Sequence, residues 1–176
     1  MISYYPAEAR IDLSAIRSNL SSVREAAGEA AVLAVVKADA YGHGRAEVAR
    51  ALAPGADYLG AAQLGEALAL RGEVGPGPRI LTWIFAPGAP LARALRADVE
   101  LSAGAFWAID EIAQAARETG TTAKVHLKVD TGMARGGFNV ADVAEASRRL
   151  RALQADGLVS VVGLWSHLAR ADEPES

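Results

Sequence analysis

The sequence is short of several things that would each point to a function. Its 176 residues include no cysteine, which excludes disulfides, thiolate zinc sites and thiol catalysis. The three histidines, His43, His126 and His167, have neither a His-x-x-x-His nor a His-Glu-x-x-His spacing, so no metal site is expected. No stretch approaches the ~20 apolar residues of a membrane span. The start, Met1-Ile2-Ser3-Tyr4-Tyr5-Pro6, lacks the basic run and apolar core of a leader, so a cytoplasmic protein without membrane attachment is expected. Charged residues make up 22% and the net charge is −3, which does not describe a nucleic-acid surface. Lysine is scarcest among the cations: Lys37, Lys124 and Lys128 stand against 15 arginines. Only lysine is readily made a neutral nucleophile, so in a chain that otherwise uses arginine each lysine needs a reason.

What is present is a 51% hydrophobic chain with a recurring pattern. Leu13, Ile16, Leu20, Val23 and Ala27 fall in steps of three and four, one face of a helix, and Gly28 is placed to stop it. Residues 31–37 then form a nearly unbroken apolar run with a β-branched centre, which reads as a strand buried on both faces. A helix carrying Val48, Ala49 and Leu52 follows. Further strands are expected at 58–61, 79–84, 99–102, 123–129 and 159–165, with helices at 64–71, 91–96, 106–118 and 140–154 between them. Strand and helix in alternation, with no hairpin turn, is the signature of a parallel α/β protein. A doubly wound sheet and a (β/α) barrel both satisfy it, and in either one chemistry belongs at the carboxyl ends of the strands.

Lysine, arginine and histidine collect at those ends. Lys37 ends the first strand after six apolar residues, where burial lowers a lysine pKa. On the fifth strand His126 and Lys128 share a face with Lys124. Arg135 follows in the glycine-bearing segment Asp130-Thr131-Gly132-Met133-Ala134-Arg135-Gly136-Gly137, and His167 ends the sixth strand. Taken singly, each has a structural reading: a snorkelling Lys37, a packed or hydrogen-bonded His126, an ion-paired Lys128. Asp130-Thr131-Gly132 matches the aspartic-protease triplet, but that chemistry needs two carboxylates sharing a proton in an all-β fold. Gly42 and Gly44, outside a GxGxxG frame, are weak evidence for a phosphate cradle.

The segment Ala34-Val35-Val36-Lys37-Ala38-Asp39-Ala40-Tyr41-Gly42-His43-Gly44 resembles the cofactor-attachment signature of bacterial alanine racemases. The resemblance continues in Arg10-Ile11-Asp12-Leu13-Ser14-Ala15-Ile16, Glu66-Ala67-Leu68-Ala69-Leu70-Arg71, His126-Leu127-Lys128-Val129-Asp130-Thr131-Gly132-Met133 and Gly163-Leu164-Trp165-Ser166-His167-Leu168-Ala169. It covers essentially the whole chain, and an eleven-residue signature with later blocks in order is far more specific than a short motif.

This resemblance implies about six strand-helix units of a TIM (β/α)8 barrel that binds pyridoxal 5′-phosphate, and interconversion of L- and D-alanine through an aldimine and a carbanion. Lys37 would attach the cofactor and serve as one of two bases, and Tyr41 would help hold its phosphate. Arg135 would contact the phenolic oxygen of the ring, supported by Lys128, which in many members is carbamylated. His167 would line the ring. A homodimer is implied, because the family's second base is a tyrosine from a partner subunit's C-terminal β-domain. A closed eight-stranded barrel takes ~250 residues, with ~200 a lower limit. Residues 1–176 are therefore expected to be a truncated N-terminal barrel domain, unclosed and without turnover of its own, with the last barrel units and the β-domain absent. Gly136-Gly137 stands where Leu-Gly is more usual, a change expected to loosen the loop that carries Arg135. The rival among pyridoxal proteins, a one-domain barrel that binds the cofactor for homeostasis, keeps a strand-end lysine but lacks Tyr41-Gly42-His43-Gly44.

Overall fold

The computed structural model describes residues 7–171 and residue 173. The segment 1–6, read above for a leader, lies outside them. Helix α1 (Leu13–Ala27) starts where the Asp12 carboxylate accepts the backbone N–H groups of Ser14 and Ala15, and it stops at Gly28, whose φ of 60° suits glycine. Six strands follow: β1 (Leu33–Val35), β2 (Tyr58–Gln63), β3 (Arg79–Ile84), β4 (Val99–Ala103), β5 (Ala123–Val129) and β6 (Val159–Ser166). Between them lie the turn α2 (Lys37–Gly42) and the helices α3 (Arg45–Leu52), α4 (Leu64–Val74), α5 (Leu91–Arg96), α6 (Phe106–Thr119) and α7 (Val143–Ala155).

All neighbouring strands are parallel, and their order in the sheet is their order in the chain, β1 to β6. That order decides between the two architectures. A doubly wound sheet reverses its winding at a switch point, whereas steady progression in one direction is barrel winding. Among the described residues β1 pairs only with β2 and β6 only with β5.

The two faces of the sheet carry different chemistry. The outer face packs on the helices: Leu59, Ile80, Leu101 and Val125 are fully buried there in one cluster with Ala49, Ala67, Leu70, Ala94, Ile109 and Ile112. The alanine-rich helix faces let the two layers approach closely. Residues at alternate positions point inward and include Tyr58, Trp83, Glu100, His126, Lys128 and Trp165. Gly163 sits opposite His126 in the register, and a Cβ there would collide with the imidazole ring.

The first strand departs from expectation. Its ladder ends at Val35 rather than Lys37, and it is not buried on both faces: Val36 is 1% exposed but Val35 is 38% exposed. Val35 faces the interior space, while Val36 packs outward and gives its N–H to Gly60 O at 2.8 Å. Lys37 therefore opens the next turn instead of closing the strand. The last helix also begins later than expected, at Val143, after a single 3₁₀ turn over Val140–Asp142.

Candidate cofactor site at the strand ends

Lys37 leads into an unusual backbone. Residues 38–41 have φ between 50° and 57°, so four successive non-glycine residues turn in the left-handed sense, at about 1–2 kcal/mol each. Bonds from outside and within hold the turn. Ala38 N–H donates to Glu66 Oε1 at 2.6 Å, Ala40 N–H to Val36 O at 3.1 Å, and Gly44 N–H to Asp39 O at 3.0 Å. The Asp39 carboxylate accepts the Arg45 N–H at 2.8 Å, which ties the turn to the start of α3. The result brings the Tyr41 ring beside Lys37, with Nζ 5.7 Å from the ring centre.

The opposite wall comes from β5 and the loop after it. Lys128 Nζ donates to Gly136 O at 2.7 Å and lies 4.8 Å from the centre of the Trp165 ring. Burial, reinforced by the nearby Arg135 charge, pushes the Lys128 amine below the ordinary lysine range. Asp130 is a turn residue and not a protease carboxylate: its Oδ1 accepts the N–H groups of Gly132 and Ala134. Phe138 closes the loop by backbone bonds to Lys128 and Asp130. Gly137 is required at this closure, since a Cβ would come within 2.7 Å of Asp130 N. Gly136 O is tied to Lys128, and Gly137 packs tightly against the Val129–Asp130 backbone.

Lys37, Tyr41, Arg135 and His167 line one cavity of about 430 Å³, together with Trp83 and Trp165. Lys128 lines an adjoining cavity of the same volume, which Lys37 and Arg135 also border. The two tryptophans meet edge to face at 6.0 Å, and Trp165 Nε1 donates to Ser102 Oγ at 2.8 Å. All five residues expected from the sequence are therefore brought to one end of the sheet.

Beneath the cavity lies a polar floor. His126 Nε2 and Glu100 Oε2 are 2.7 Å apart, and Arg79 Nε donates to Glu100 Oε1 at 2.7 Å. The Arg79 guanidinium stacks over Tyr58 at 4.1 Å, and Tyr58 meets His126 edge to face. Burial alone would raise the Glu100 carboxyl. The hydrogen bonds with His126 and Arg79, and their charge, outweigh it and hold the carboxyl below the ordinary glutamate range. His126 is thus the hydrogen-bonded histidine that one reading of the sequence allowed.

Residues 11–176 match the family description "Alanine racemase, N-terminal domain". The chain belongs to this family. It is 57% identical over 173 residues to the alanine racemase of Beutenbergia cavernae, covering 98% of this chain and 46% of that protein. With the alanine racemase of Thermobifida fusca it shares 49% over 171 residues, again 46% of the relative's length. Among solved structures, the alanine racemase from D-cycloserine producing Streptomyces lavendulae superimposes with a TM-score of 0.91 at 46% identity, over 94% of this chain and 44% of that one. The alanine racemase of Clostridium difficile 630 in complex with cycloserine gives 0.86 at 30% identity, over 98% and 47%. The chain spans a little under half the length of these relatives.

The arrangement fits the pyridoxal 5′-phosphate that alanine racemases use. The cavity lies within the usual 300–1,000 Å³ of a small-molecule site. Its walls are aromatic and apolar, and an amine, a phenol, a guanidinium and an imidazole converge on it, which suits a flat ring bearing an aldehyde and a phosphate. Sequence reasoning missed three contributors. Trp83 gave no signal, because its inward direction depends on the register. Glu100, a carboxylate inside an apolar strand, was a visible sign of a buried pair. Glu66 stood within a quoted motif without a role.

Proposed function

We propose that the protein is the N-terminal barrel portion of a cytoplasmic, homodimeric alanine racemase that interconverts L- and D-alanine and supplies D-alanine for peptidoglycan. The observation that carries this reading is the single cavity on which Lys37, Tyr41, Arg135 and His167 converge. When bound there, pyridoxal 5′-phosphate supplies an electron sink for the charge left at the alanine α-carbon.

The chain's own residues would do the rest. Lys37 would hold the cofactor through Nζ, Tyr41 its phosphate, Arg135 its phenolic oxygen, and His167 would flank the ring. The Lys37 amine would remove or return the α-proton on one face. A base is needed on each face, since a single group tends to return the proton where it came from. Lys37 serves one, and a homodimer would supply the other. Trp83 and Trp165, which line the cavity, would shield the reacting face from water. Lys128 beside Arg135 sets two cations together, and carbamylation of Lys128 would relieve this by turning the amine into an anion able to pair with Arg135.

We also propose that residues 1–176 are part of a longer barrel with a second, β-rich domain, and that this chain alone turns over negligibly. Support comes from the outer side of β6, where Val161 is 40% and Leu164 68% exposed beside α7. Adding pyridoxal 5′-phosphate should produce a Schiff-base absorbance band near the visible edge, and Lys37→Ala should abolish it. An unchanged spectrum in that variant would remove Lys37 from its role.

A further inference from the structure

Four left-handed residues in a row require an external hold, and one side chain supplies the bond nearest Lys37. Glu66 sits in the first turn of α4. Its Oε2 accepts the Gln63 N–H at 2.9 Å, while the Gln63 side chain accepts the Glu66 backbone N–H, the reciprocal pair of a capping box. That box needs one carboxylate oxygen. The other, Oε1, reaches across to the Ala38 N–H at 2.6 Å, a bond to a segment 28 residues away that contributes nothing to capping α4.

We infer that Glu66 is a positioning residue for Lys37: its carboxylate, fixed by the β2–α4 turn, pins the Ala38 N–H and so sets the direction in which the lysine enters the cavity. The inference rests on the reading of Lys37 as the cofactor-holding lysine. Its chemistry is specific to a glutamate. The two backbone N–H groups, from two segments, each bond a different oxygen of the one carboxylate. Glutamine puts an NH2 donor where one of these oxygens stood, so one N–H loses its acceptor there; aspartate, one methylene shorter, cannot span both.

The test compares wild type, Glu66→Gln and Glu66→Asp by two readouts. The first is amide hydrogen exchange at Ala38 and Gln63 without added cofactor. The second is the rate at which borohydride traps pyridoxal 5′-phosphate on Lys37, with Lys124, paired to Asp98 at the far end of β5, as internal reference. Loss of a charge-assisted bond should speed exchange roughly ten- to hundredfold at one of the two amides. Labelling of Lys37 should slow about tenfold against Lys124, which a general loosening of the fold would not produce. Should Glu66→Gln fail to fold, Glu66→Asp, which keeps the charge, is read in the same way. Unchanged exchange at both amides, or faster exchange with Lys37 labelled at the wild-type rate, overturns the inference. If wild-type Lys37 takes no label, the functional reading fails and the inference falls with it; the exchange readout separates that failure from a missing Glu66 contact.

Discussion

Replacing Glu100 by glutamine tests whether the polar floor is held by charge or by shape. The carboxylate is 1% exposed and serves two partners, with His126 on Oε2 and Arg79 on Oε1. Removing one member of a buried pair costs about 3–5 kcal/mol. Two features place this case at the low end of that range: the amide keeps the volume, and the Arg79 side chain, 44% exposed, can turn to water. We expect a loss of about 3 kcal/mol, which at a urea slope of ~2 kcal/mol/M moves the unfolding midpoint down by about 1.5 M. The slope itself should not change. Because the folded Glu100 carboxyl titrates below its ordinary value of 4.5, its contribution is complete above that pH and lost as the pH falls through the folded value. Wild type and Glu100→Gln should therefore converge in stability on acidification. A midpoint shift under about 0.3 M at neutral pH, or a constant difference between the two proteins down to pH ~3, would show that the Glu100 charge does not hold the floor.

Gly163→Ala should cost about 1–3 kcal/mol, because its Cβ would fall on the His126 ring. In a His126→Ala background the same change should cost almost nothing, so a double-mutant cycle in urea that shows simple additivity contradicts the contact. Lys128 titrates below the ordinary lysine value of 10.5 in the folded protein, so the unfolded chain binds more protons as the pH climbs from neutral toward that value. Wild-type stability should rise over this window relative to Lys128→Met, and parallel thermal melts of the two proteins across it would exclude the burial effect.

Much of the fold was legible because strands and helices announced themselves by different periods. The inner and outer faces differ in chemistry, so Lys124, His126 and Lys128 could be placed together on β5 from parity alone. The barrel winding was not legible in the alternation, which both architectures share; it was expected from the family resemblance alone, and the order β1 to β6 bears it out. The left-handed turn was hidden for a different reason. Ala38-Asp39-Ala40-Tyr41 contains no glycine or asparagine to mark positive φ, and its conformation is held by bonds to Glu66 and Arg45 that local sequence does not encode. The same turn explains why the strand stops two residues short of Lys37. Of the candidate site, the five residues at the strand ends could be named; Trp83 and the Glu100 network depend on strand register, which the sequence does not state.

Of the three lysines, Lys37 is the one we propose to hold pyridoxal 5′-phosphate. The direct measurement is borohydride reduction of the protein with pyridoxal 5′-phosphate, followed by mass mapping of the labelled peptide. We predict label on Lys37 with little on Lys124 or Lys128. Label spread evenly over the three, or concentrated on Lys128, would remove Lys37 from this role.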